Sequence, residues 1–257
     1  MSWWRRLAPL GLTVFLLTVG SGHGADGLPP GWEQLPTEMA AVNAPAARVA
    51  RISEQFLGTP YRAHTLIGGI DLPEQLVAEF AGVDCFTLLD YVEALRRTYR
   101  PAEFRQRLAE VRYRDGVVAW DHRRHFFTDW AAPGGPVIDV TTEVGGARTQ
   151  QTLKRLNCKA DGTRLLPGVA VQERMIRFIP AAALDGRVLD RLESGDYLGI
   201  YTPAAGFDVS HVGIVIRKEK HLLLRHASSR REVGKVVDSD LAAYLAGKPG
   251  IVILRPR

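Results

Sequence analysis

Apolar residues recur along the chain in two distinct rhythms. Within residues 48–57 they fall at Val49, Ile52 and Phe56, the spacing of one helix face, and Gly58 supplies a stop. From Cys85 onward they fall at Leu88, Leu89, Val92 and Leu95, which predicts a second helix. Asp84 stands ahead of it as an N-cap, and Arg96, Arg97 and Arg100 gather at its end, where cations complement the helix dipole. Gly68, Gly69 and Pro73 mark a loop between the two helices. The stretch 98–194 is mixed and turn-rich, and its pattern resolves into no clear elements. The rhythm then changes: residues 197–201, 212–216, 221–227 and 251–254 read as short strands. Helices first and strands later predict an α+β fold.

The first residues follow neither rhythm. Residues 1–24 carry Arg5 and Arg6, an apolar run over 7–19 and then small residues, the pattern of a secretory signal peptide. The run is short for a membrane span, which leaves an uncleaved anchor as the lesser reading, and no cysteine follows for lipid attachment. The whole chain has 33 basic and 28 acidic residues and a net charge of +5; without the leader 31 basic residues remain and the charge is +3. A good part of the basic signal thus belongs to the leader. A basic balance favours anionic partners such as nucleic acid, anionic lipid or an acidic wall polymer, but no nucleic-acid motif is present, so no nucleic-acid partner is expected. With 46% hydrophobic residues the chain can bury a core, and two cysteines exclude a disulfide scaffold or an all-cysteine zinc site. Residues 25–257 are expected to form one exported domain, periplasmic or secreted, with no stable membrane association after signal cleavage. Residues 25–46, rich in Pro, Gly and Ala, are expected to lie loosely over its surface.

Candidate chemistry begins at Cys85. A cysteine is most often a small buried hydrophobe, but this one opens a helix, where unpaired N–H groups and the dipole favour thiolate. Cys158, in RLNCKADG, has no such setting, and a Cys85–Cys158 disulfide is the competing reading for an oxidising compartment. A thiol nucleophile needs a base. The segment SHVGIVIRKEKHLLLRHAS reads as a hairpin turning at 217–220. With Ile216 facing His221, His211 falls directly opposite His226, with Cβ atoms ~5 Å apart. One imidazole could then orient the other and fix its tautomer. The blander reading is two packing or exposed histidines. The Cys85 N–H is a candidate oxyanion donor, and the Tyr61 hydroxyl, in GTPYR, is another, although a tyrosine is more often there for packing.

The series GTPYR, VDCFTLLDYVEAL, VSHVGIVI and LLLRHAS resembles the motifs of the NlpC-type papain-like cysteine peptidases of bacterial cell walls. HFFTDW, GFDVSHVGIVI and the long insert between nucleophile and base resemble in particular the N-acetylmuramoyl-L-alanine amidase-like branch. The resemblance runs over residues 48–257. It implies a papain-like NlpC-type fold, with the nucleophile at a helix start packed on an antiparallel sheet that carries two histidines. It implies Cys85 as nucleophile, His211 as general base and then acid, His226 as the residue orienting His211, and Tyr61 as an oxyanion donor. Asp84 and Ser210 match positions that line the substrate cleft. Phe86 stands where many of these peptidases have a serine that holds a free peptide amine; its ring suits an apolar or sugar face, and so favours a muramoyl amide. The implied substrate is peptidoglycan or a muropeptide, cut between N-acetylmuramic acid and L-alanine by a thiolate–imidazolium pair, with no cofactor or metal. The alternative within hydrolases is an endopeptidase cutting between D-glutamate and diaminopimelate. A non-catalytic wall-binding module and an acyltransferase are further readings.

Other motifs have simpler explanations. His122 and His125 have H-x-x-H spacing near Asp121 and Asp129, but no HExxH or third clear ligand accompanies them, so a surface segment is preferred to zinc. Phe126, Phe127 and Trp130 nearby are candidates to wall the cleft. Arg230, Arg231 and Lys235 read as a solvated basic loop.

Overall fold

Among the described residues four helices precede the sheet. The computed structural model describes residues 27–219 and 221–257, so the expected signal peptide lies outside the described residues. The helices are α1 (Leu35–Ala40), α2 (Pro45–Glu54), α3 (Cys85–Arg96) and α4 (Phe104–Arg112). There follow β1 (Val137–Asp139), α5 (Thr141–Gly145), β2 (Gln150–Leu156), β3 (Gln172–Pro180), α6 (Gly186–Leu189), β4 (Tyr197–Tyr201), β5 (Val209–Lys218), β6 (His221–Ala227), β7 (Val236–Asp240), α7 (Leu241–Leu245) and β8 (Gly250–Pro256). Short 3-10 turns fill the connection from α4 to β1.

The strands form one antiparallel sheet in the order β2-β3-β8-β4-β5-β6-β7, with β1 also paired to β8. Consecutive side chains of a strand point to opposite faces, and here both faces of the central strands are covered. Tyr197, Val212, Ile214, Val252 and Leu254 face α2, α3 and α4. Leu198, Ile200, Val215, Leu224, Ile251 and Ile253 face the other way, under α5, α6 and α7. Burial on both sides explains why these strands read as continuous apolar runs rather than as alternating ones.

One sequence expectation is corrected here. Residues 27–46 do not lie loosely: α1 forms within them, Leu28 and Met39 are buried, and Trp32 meets the edge of the Phe56 ring at 5.0 Å between centroids. The unread middle supplies β1, β2 and β3 and the turns that wall the site, and β7 also went unpredicted.

α3 is held at both ends. At its start Asp84 Oδ1 accepts from the N–H groups of Phe86 (3.0 Å) and Thr87 (2.7 Å), while Thr87 Oγ1 accepts from Asp84 N–H, a reciprocal cap. Near its end the buried Glu93 takes Arg96 Nε at 2.7 Å and the hydroxyl of Tyr197 at 2.8 Å, fastening the helix to β4. Gly199 of β4 lets this region close: a Cβ there would lie 2.7 Å from the Phe127 ring and 2.6 Å from Val209. Among the described residues no helix is long and apolar enough to cross a membrane.

Candidate active site

The N-cap places Cys85 at the first helical position of α3, largely buried where β5 passes beside it. The backbone N–H groups of Cys85, Phe86 and Val212 lie near the sulfur and favour its charged form. The Val212 contact puts the sulfur beside the residue that follows His211. Cys85 and Cys158 are both unpaired, and Cys158 is buried.

The hairpin register differs from the sequence expectation. Lys218 pairs with His221 and Ile216 with Leu223, so β5 runs two residues further before turning, while β6 starts at His221 as expected. His226 is therefore not directly opposite His211 but one diagonal step away. A two-residue offset keeps every side chain on its own face, and diagonal neighbours are still within reach. The rings meet: His211 Nε2 lies 2.9 Å from His226 Nδ1, with ring planes at 88°. His226 Nε2 in turn lies 3.1 Å from Ser239 Oγ on β7. Tyr244 of α7 covers both rings, with centroids 4.9 Å from His226 and 5.9 Å from His211.

Ser210 owes its place to a bulge. Ile200 pairs with His211 but Tyr201 with Val209, so Ser210 is the extra residue in β5 and is turned outward, exposed. Tyr61 sits in a bridge beside Val83, pinned by its N–H to the Gly234 carbonyl at 2.8 Å. Burial, then the charges of Cys85 and Asp84, raise its hydroxyl pKa, which places it within electrostatic reach of both.

Cys85, Phe86, Ser210 and His211 line one cleft of about 350 Å³, together with Phe126, Phe127, Leu165, Leu166 and Phe207. Trp130 lies behind this wall, edge-on to Phe86 at 5.8 Å. Asp84 caps α3 as the sequence predicts, with Oδ1 accepting from the N–H groups of Phe86 and Thr87. His122 and His125 turn to backbone carbonyls of Arg114 and Trp120, and Asp129 pairs with Arg174 at 2.7 Å. Among the described residues no group of three or more His, Cys, Asp or Glu is placed to hold a metal ion.

The electrostatics also depart from the expectation of a thiolate at a helix start. Burial first, and then the neighbouring Asp84 charge, push the Cys85 thiol up to about 11; the three N–H donors work against this but do not outweigh it. Burial, then the charges of His226 and Lys248, push His211 down to about 3. Burial and the Arg230 charge bring His226 to about 4. Near neutral pH the thiol and both imidazoles are therefore uncharged, where the sequence suggested a standing ion pair.

Sequence reasoning missed Ser239, Tyr244 and the Leu165–Leu166–Phe207 wall. Ser239 lies on an unpredicted strand and Tyr244 on a five-residue helix, too short for any periodic signal.

The mixed fold with its antiparallel sheet is that of an amidase-like hydrolase, the class to which the comparisons point. Residues 51–251 match the model of the AmiA-like family, described as N-acetylmuramoyl-L-alanine amidase-like. The chain belongs to this amidase-like family of cell-wall hydrolases. It is similar to the crystal structure of an N-acetylmuramoyl-L-alanine amidase from Bacteroides uniformis, with 29% identity, a TM-score of 0.69, and coverage of 83% of this chain and 99% of that one. A protein of Legionella pneumophila shares the fold at 22% identity, with a TM-score of 0.72 over 87% of this chain and 93% of that one. A chain named as a putative xylanase from Bacteroides fragilis matches at 28% identity and a TM-score of 0.66, covering 80% and 99% respectively. None of the curated proteins matches.

Proposed function

We propose that the protein is a cysteine-dependent amidase that cleaves the bond between N-acetylmuramic acid and L-alanine in peptidoglycan fragments. The reading places the chain in the NlpC-type papain-like group. It takes residues 25–257 as one catalytic domain, exported by residues 1–24 to the periplasm or beyond. The observation that carries it is the convergence at one cleft of a helix-opening thiol and an imidazole whose far nitrogen is already engaged by a second imidazole.

His211 Nε2 faces His226, which leaves Nδ1 as the nitrogen for the thiol. As the Cys85 sulfur attacks the lactyl carbonyl carbon, its proton passes to His211 Nδ1. The carbonyl π pair moves onto oxygen, and the oxyanion is met by the Cys85 N–H and the Tyr61 hydroxyl, each donor contributing ~3 kcal/mol. The oxyanion then collapses, the C–N bond breaks, and His211 returns the proton to the departing alanine amine. Water, deprotonated by His211, attacks the resulting thioester and frees the thiol. A neutral resting pair suits this sequence, because charge develops only as the sulfur bonds to carbon. Phe86, Phe126 and Phe207 give the cleft apolar faces that fit a sugar ring and its acetamido methyl, and Ser210 lies at its rim.

Incubation of purified protein with anhydro-muropeptides, followed by mass spectrometry, tests the bond. Release of the intact stem peptide from the sugar is expected. Cleavage between D-glutamate and diaminopimelate would replace this reading with the endopeptidase one. Cys85→Ala should fold normally and release nothing; turnover in that variant would reject the thiol mechanism.

A further inference from the structure

The histidine pair imposes a proton count that a third side chain satisfies. Across the 2.9 Å between His211 Nε2 and His226 Nδ1, one nitrogen carries the bridging proton and the other accepts it. For His211 to receive a proton at Nδ1, its single neutral N–H must already be at Nε2. His226 Nδ1 is then the acceptor, and His226 carries its own proton at Nε2. That N–H faces Ser239 Oγ at 3.1 Å. In the opposite arrangement His211 would hold its proton at Nδ1 and could not act as a base.

Once His211 has taken a second proton, only the first arrangement survives, because both of its nitrogens then donate. Ser239 is placed to serve it. It pairs with Leu224 across β6 and β7, while His226 pairs with Val237, so the serine is the diagonal neighbour of His226 on the same face. It is half-buried, which lets its own hydroxyl hydrogen turn to water while Oγ accepts. Tyr244 packs against both rings and holds them in these planes.

We infer that Ser239 is a positioning residue whose Oγ accepts from His226 Nε2–H and so fixes both imidazoles in the tautomers that open His211 Nδ1 to Cys85. The inference rests on the proposed amidase mechanism for its effect on rate, but the tautomers are measurable without any substrate.

Long-range proton–nitrogen NMR on the purified protein near neutral pH should show both histidines protonated at Nε2 and bare at Nδ1. Ser239→Ala should yield a mixture of tautomers at both rings. It should lower kcat on muropeptide about 10- to 100-fold, with KM changed less than about twofold. Ser239→Thr, which keeps the hydroxyl, should restore both. A wild-type His226 protonated at Nδ1 would overturn the inference. So would a Ser239→Ala protein with unaltered tautomers. If Ser239→Ala does not fold, the wild-type and threonine spectra still decide. If the wild type releases no peptide, the amidase reading falls while the tautomer measurement stands on its own.

Discussion

At the scale of single residues, Asp84 does two opposed things. Its carboxylate completes the start of α3, and its charge helps push the Cys85 thiol up to about 11. Asparagine caps a helix nearly as well but carries no charge. Asp84→Asn is therefore expected to keep the fold while lowering the thiol pKa. In a Cys158→Ser background, iodoacetamide should label Cys85 slowly at pH 7 and faster up to about pH 11. Asp84→Asn should label about three- to tenfold faster at pH 8. A rate in the parent that is already level by pH 6 would contradict a buried neutral thiol. Read locally, the helix start favours a thiolate at Cys85, because dipole and cap are properties of neighbouring residues; the burial that raises its pKa comes from elements packed around it.

At the scale of elements, α3 positions the sulfur only if the helix is fixed against β4, and Glu93 is the fastening. It is fully buried and shared by Arg96 and Tyr197. Glu93→Ala leaves the Arg96 charge without its partner inside the protein, a change that removes about 3–5 kcal/mol of stability. Equilibrium denaturation checks this, and a loss under about 1 kcal/mol would mean that the helix is held by apolar packing alone. The hairpin β5–β6 shows how a register can be misjudged without harm to the site. The turn starts two residues later than its polar sequence suggested, and the resulting register offset is even. His211 and His226 therefore stay on one face and their rings still touch. An odd offset would have separated them.

At the scale of the whole molecule, the buried histidines couple folding to pH. In the unfolded chain a histidine takes up a proton below its ordinary value of 6.5, whereas His211 and His226 remain neutral down to about 3 and 4. Between these limits the unfolded state binds more protons, so stability falls as the pH drops from 6.5 and levels off once the folded rings also protonate. The contribution of each ring is on the order of a few kcal/mol, given about 1.4 kcal/mol per unit of pKa displacement. Thermal unfolding followed between pH 7 and pH 4 should show a steeper decline for the wild type than for His211→Gln, which cannot titrate. Parallel curves would show that other groups govern the acid response.

Elements whose patterns are local could be read from the order of residues alone. The α3 helix with its cap and Cys85 at its start, the strands 197–201 and 221–227, and a hairpin that brings the His211 and His226 rings together were all legible in it. Helical spacing, an N-cap and a turn are short-range properties of neighbouring residues. Tertiary structure alone decided the rest. It buried Leu28 and Met39 in the core from a segment that reads as loose. It brought Leu165, Leu166 and Phe207 to the cleft, and it set Ser239 and Tyr244 against the imidazoles. Their partners are distant in sequence or on other elements, so no periodicity marks them. The charge state of the site belongs here too, because desolvation depends on what is packed around a group rather than on its neighbours in the chain.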